Sequence, residues 1–109
     1  MKTPWPLHRG QIYLAKLGGL DPKYYLVVSN NRRNRNLDSV LAVRMTSSPK
    51  PPLPTIVSIK GRASGLEGVF VCDDIVEIYE DEVLKDSGAV SPDLMRDVEA
   101  GLKAALALP

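Results

Sequence analysis

Residues 24–48 read YYLVVSNNRRNRNLDSVLAVRMTSS, and their interpretation decides the fold. Two apolar runs, YYLVVS (24–29) and SVLAVRMT (39–46), flank the polar stretch SNNRRNRN (29–36). Both runs have strand length, and the second is rich in β-branched residues, whose crowded Cβ suits extended backbone. The stretch between them places three arginines and four asparagines in eight positions. It reads as a solvated turn that Ser29 and Asn30 open, with the Asn30 side chain able to close it. The predicted unit is two buried strands joined by a basic turn.

Similar runs occur on either side. QIYLAKL (11–17), TIVSI (55–59), GVFVC (68–72) and IVEIY (75–79) bring the predicted strands to about six, separated by Gly, Pro and Asn. SSPKPPLP (47–54) is a stiff loop, because proline fixes φ and removes the backbone donor. The period then changes. Ser91 is a good N-cap, Pro92 suits the first helical position, and Asp93 and Asp97 complement the positive end of the helix dipole. Leu94, Met95, Val98, Leu102, Ala105 and Leu106 recur at spacings of three and four, forming one apolar stripe. Residues 80–86 (EDEVLKD) are a candidate for a further short helix. The expected architecture is mainly β, a small, strongly bent antiparallel sheet or barrel with a C-terminal helix packed on it.

At 109 residues, with 44% hydrophobic and 25% charged residues, the chain reads as a single domain (1–109) with one modest core. Met1 to Arg9 has no apolar segment of the kind a secretory signal carries, and no run approaches the ~20 apolar residues that span a bilayer. The lone cysteine, Cys72, excludes an internal disulfide and fits a cytoplasmic location. It sits in GVFVC, where a buried strand thiol is expected rather than a nucleophile. One cysteine and one histidine without ligand spacing give no metal site, and no motif implies a cofactor. The net charge of +1 conceals an asymmetry: residues 1–62 hold 11 Lys/Arg against 2 Asp/Glu, and residues 63–109 hold 3 against 11. Either a basic face awaits an anionic partner, or the two halves interleave and their charges intermix.

Taken in order, RGQIYLAKL (9–17), YYLVVSNN with Asn34-Arg35, LAVRMTSS (41–48), LPTIVSI (53–59), GLEGVFVCDDI (65–75) and SPDLMRDVEAGLKAAL together resemble the MazF/PemK family of toxin ribonucleases. The resemblance implies an SH3-like barrel related to the CcdB toxins. It also implies a homodimer, metal-independent cleavage of single-stranded RNA at short sequences, and inhibition by a cognate antitoxin whose acidic tail fills the RNA channel. Such cleavage proceeds by attack of the 2′-OH on phosphorus, giving a 2′,3′-cyclic phosphate and a 5′-OH. The site must neutralise a phosphorane-like charge and move two protons.

By the same resemblance, the catalytic threonine that ends the third strand falls on Thr46, followed by Ser47, and the catalytic arginine of the second strand falls on Lys23. Lysine supplies charge without the planar fork of arginine. The loop LGGLDP (17–22) is shorter than the glycine-rich loop of the family, and Asp74 and Val76 replace a glutamine and an arginine. Arg44 lies two residues before Thr46, so on a regular strand the two side chains share a face. It is a candidate to supply the missing guanidinium, against the alternative of an arginine snorkelling at the barrel edge. Asp73 falls where some members carry a proposed base. Arg9 is a candidate either for RNA binding or for bracing the second strand. Asn30, Arg32 and Arg33 would form an electrostatic rim, reading backbone rather than sequence. His8 is expected to be a surface residue. The departures at Lys23, the short loop and Val76 leave open a second reading: a non-catalytic barrel that binds RNA or a protein target.

Overall fold

The computed structural model describes residues 4–63 and 65–109. Its order is β1 (Gln11–Ala15), β2 (Lys23–Val27), α1 (Asn31–Asn36), β3 (Ser39–Thr46), β4 (Ile56–Ser58), β5 (Val69–Tyr79), a 3-10 turn (Glu80–Glu82), β6 (Val83–Ala89) and α2 (Pro92–Leu106). The six strands form one sheet in the order β4-β5-β3-β2-β1-β6, antiparallel at every junction.

The sheet is bent enough that its two faces enclose separate apolar clusters. One face gathers Ile12, Leu26, Val43, Val57, Ile59, Phe70 and Cys72 beneath Leu94, Met95 and Val98 of α2. The other gathers Tyr13, Ala15, Tyr25, Val27, Val40, Ala42 and Ile78 against Leu7 of the N-terminal segment. Strand alternation explains the division, since odd and even residues of β2 and β3 fall to opposite clusters. Ser91 caps α2 by accepting from the Leu94 N–H at 3.3 Å, and Pro92 opens the helix, as its sequence predicts. Gly101 lets α2 come close to the sheet: a Cβ there would lie 2.7 Å from Cys72 Sγ and 3.1 Å from Val57 Cγ2.

Three local expectations are corrected. The segment between β2 and β3 is a short helix, not an irregular turn. Asn30 is its N-cap, its Oδ1 accepting from the Arg33 N–H at 2.8 Å. The expected strands 68–72 and 75–79 are one continuous strand, β5. The Asp-Asp pair reads as punctuation, yet the chain stays extended because β3 pairs with both of its ends. Residues 83–89 form the sixth strand, preceded by a single 3-10 turn (Glu80–Glu82) in place of the short helix expected over 80–86. β6 pairs with β1, and its mostly exposed side chains give the sequence no alternating pattern to betray it.

Candidate active site

β2 and β3 pair through Tyr25–Arg44, Leu26–Val43 and Val27–Ala42. Continuing this register by two residues sets Lys23, the first residue of β2, opposite Thr46, the last of β3. Lys23, Tyr25, Arg44 and Thr46 therefore share one face of the hairpin. At its end lies an open groove of about 410 Å³, lined by Lys23, Tyr24, Met45, Thr46, Ser47 and Ser48. Among the described residues no group of three or more His, Cys, Asp and Glu side chains is arranged to hold a metal ion.

Backbone geometry fixes Thr46. Gly68, with φ +122°, passes so close that a Cβ would lie 2.2 Å from the Thr46 carbonyl oxygen. No other residue permits both that approach and that φ. On its side chain, Thr46 Oγ1 accepts from the Ser48 N–H at 3.1 Å. This is the turn cap that a strand-ending threonine offers, and it leaves the hydroxyl proton free to be donated to an incoming acceptor. Ser47 is exposed on the groove wall.

The other candidates are placed differently. Arg44 Nε donates to Asp74 Oδ2 at 2.5 Å, and the Arg44 side chain is 25% exposed. Asp73 is exposed and accepts from Thr55 Oγ1 at 2.7 Å, outside the groove lining. Arg9 braces the chain: Nε donates to the Val28 carbonyl at 3.1 Å, and Nη2 meets Glu99 at 2.9 Å. Arg33 is likewise engaged, with Nη1 donating to the Ser39 carbonyl at 2.8 Å and Glu77 3.8 Å away. The Glu77 carboxyl is held below its ordinary range, first by Ser39, then by Tyr79 and by the charge of Arg33. Asn30 is occupied as a helix cap, while Arg32 is exposed on α1. Asn34 is fully buried and bonds with Ser29 through both its oxygen and its nitrogen, a scaffold role.

Cys72 is buried, and desolvation, with the nearby charge of Asp73, pushes its thiol up to about 11, so it is not poised as a nucleophile. Tyr25, only 2% exposed, has its phenol raised by burial and then by Asp74, with Arg44 acting in the opposite direction. Sequence reasoning missed Tyr24, Met45 and Ser48 as groove residues and Asp74 as the partner of Arg44. The β2–β3 register would have supplied Tyr24 and Met45, but the helix between the strands hides it, and Ser48 lies past the end of β3.

Residues 8–106 match the family described as PemK-like, MazF-like toxin of type II toxin–antitoxin systems. The chain belongs to the MazF/PemK family. It is 39% identical over 101 residues to Endoribonuclease MazF4 of Mycobacterium tuberculosis and equally to Endoribonuclease MazF1 of Mycobacterium bovis, with 93% of each chain covered. Among solved structures it is similar to a mycobacterial endoribonuclease in complex with its cognate antitoxin: TM-score 0.88, 38% identity, covering 95% of this chain and 98% of that one. A MazE–MazF structure from Deinococcus radiodurans, at TM-score 0.78 and 20% identity over 97% of this chain, shares the MazF/PemK fold. That fold brings the start of β2 and the end of β3 together, where the groove lies.

Proposed function

We infer that this protein is the toxin of a type II toxin–antitoxin pair and an endoribonuclease. The reading is supported by full-length relatives named as endoribonucleases and by a close structural likeness to one bound to its antitoxin. The observation that carries it to particular residues is that Lys23, at the start of β2, and Thr46, at the end of β3, both line one open groove. A single strand of RNA lies along this groove with its scissile phosphate between the two side chains. The 2′-OH gives its proton to solvent and attacks phosphorus, the bond to the 5′ oxygen breaks and that oxygen takes a proton from solvent, and the products carry a 2′,3′-cyclic phosphate and a 5′-OH. The Lys23 ammonium offsets the charge that grows on the phosphorane, and the Thr46 hydroxyl donates to a non-bridging oxygen. Ser47 offers a further hydroxyl on the groove wall. Geometry favours Lys23 and Thr46 over Asp73, whose carboxylate is already engaged by Thr55.

The active species is a homodimer in the cytoplasm, and a cognate antitoxin blocks the groove. No helix of the described chain is long and apolar enough to cross a membrane. The test is to incubate the purified protein with a long RNA, with and without EDTA, and to map the ends. Cuts that persist in EDTA and leave cyclic phosphate and 5′-OH ends are expected. Intact RNA that nevertheless co-purifies with the protein would overturn the catalytic reading in favour of a binding barrel.

A further inference from the structure

β5 carries an irregularity that bears on Arg44. Val43 pairs with Ile75 and Arg44 with Val71, so Cys72, Asp73 and Asp74 have no partners on β3. Such an insertion bends a strand and re-aims its side chains. Here Cys72 goes into the core under α2, Asp73 meets Thr55, and Asp74 is brought onto Arg44.

The contact uses only one of the five N–H donors of the guanidinium. Arg44 Nε donates to Asp74, and among the described residues neither terminal nitrogen has a partner. The three other half-buried arginines are held differently. Arg9 uses Nη2 on Glu99, Arg33 uses Nη1 on Ser39, and Arg62 uses both Nη1, on Asp97, and Nη2, on the Ser58 carbonyl. An arginine with purely structural duties commits its fork; Arg44 keeps its fork open. It also stands on the same hairpin face as Thr46, two residues along β3, about 7 Å away. That distance is the scale of one phosphate-to-phosphate step in an extended single strand.

We propose that Arg44 is a second phosphate subsite, which clamps the phosphate next to the scissile one, with Asp74 as the positioning residue that anchors its Nε edge. The inference rests on RNA occupying the groove, and deepens that reading. The planar fork is matched to two oxygens of one phosphate. Asp74 orients the fork before RNA arrives, lowering the ordering cost of binding. Arg44 therefore strengthens binding, while Lys23 and Thr46 serve the reacting phosphate.

The test reads binding without needing catalysis. An RNA of about 12 mixed nucleotides, 2′-O-methylated throughout so that no 2′-OH can attack, is titrated against wild type, Arg44→Ala, Asp74→Ala and Asp74→Asn over a series of salt concentrations. Arg44→Ala is expected to weaken binding about tenfold and to reduce the salt slope by about 0.7. Asp74→Ala also weakens it, about fivefold, whereas Asp74→Asn, which keeps an oxygen for Nε, stays within about twofold of wild type. Charge alone predicts the opposite for Asp74→Ala, because removing a carboxylate tightens the hold on a polyanion. Tighter binding by Asp74→Ala, or an unchanged salt slope in Arg44→Ala, overturns the proposal, as does a wild type that does not bind. Binding with the expected pattern by a wild type that leaves ordinary RNA uncut upholds the subsite and rejects the cleavage reading instead.

Discussion

Lysine at position 23 carries its charge on a flexible stem, whereas an arginine there would offer a planar fork to a phosphate in the proposed site. Lys23→Arg is accordingly expected to cut RNA about three- to tenfold faster in single-turnover assays, since bidentate charge-assisted contacts are stronger than a point contact. An equal or lower rate would mean that the groove is already shaped around the ammonium. Single residues also show where the sequence was readable. The end of the third strand was legible from its β-branched run and the proline-rich loop after it; Thr46 and Ser47 were singled out by the resemblance of LAVRMTSS to the family, and both line the groove. Cys72 was legible from its apolar neighbours. Asn30 was legible as the residue that closes the turn, because its partner is the Arg33 N–H three residues on. Arg9 could be read two ways and Arg33 only as part of a rim, because the partners that decide, Val28, Glu99, Ser39 and Glu77, lie up to 90 residues away in the chain. A side chain able to bind phosphate looks the same in sequence as one bound to a carbonyl.

Among the elements, the end of β3 is held in place by the entry to β5. A methyl group at Gly68 would collide with the Thr46 carbonyl and also require a φ of +122°. Gly68→Ala is therefore expected to cost about 2–4 kcal/mol in urea unfolding and to slow cleavage more than the lost stability explains, because Thr46 must shift. The seat of α2 supports a second check. Gly101→Ala presses a methyl group onto Cys72 Sγ, and Cys72→Ala removes that atom. In a double-mutant cycle the pair is expected to recover about 1–2 kcal/mol relative to the sum of the single changes. Elements with strong periodicity or caps, such as β1, β2, β3 and α2, follow from the sequence. β6 does not, because its side chains are mostly exposed and its partner β1 lies some 70 residues earlier. The continuity of β5 was hidden by the Asp-Asp pair, whose bulge is defined only against β3.

Over the whole molecule, the charge asymmetry of the sequence finds its explanation. Arg9–Glu99, Arg33–Glu77, Arg44–Asp74, Arg62–Asp93 and Arg62–Asp97 each join a cation of the basic half to a carboxylate of the acidic half. The halves interleave in one fold, and the linear segregation of charge does not by itself make a basic face. Stability at high pH reports on the core. Burial raises the native Cys72 thiol from 9.0 to about 11, so the folded state holds its proton more tightly than the unfolded chain does. That contribution is complete below about pH 9 and is lost as pH rises through about 11, roughly 2–3 kcal/mol in all. Urea titrations between these values should show wild type losing stability faster than Cys72→Ala, and parallel slopes would place the thiol in contact with water. RNA cleavage is proposed to take place in the groove that Lys23 and Thr46 line. Its most direct test is single-turnover cleavage of one RNA by wild type, Lys23→Ala, Thr46→Ala and the double variant, with melting temperatures measured on the same preparations. Each single substitution is predicted to slow cleavage about 100-fold or more while the fold melts within a few degrees of wild type; undiminished cutting by the folded double variant would contradict the account.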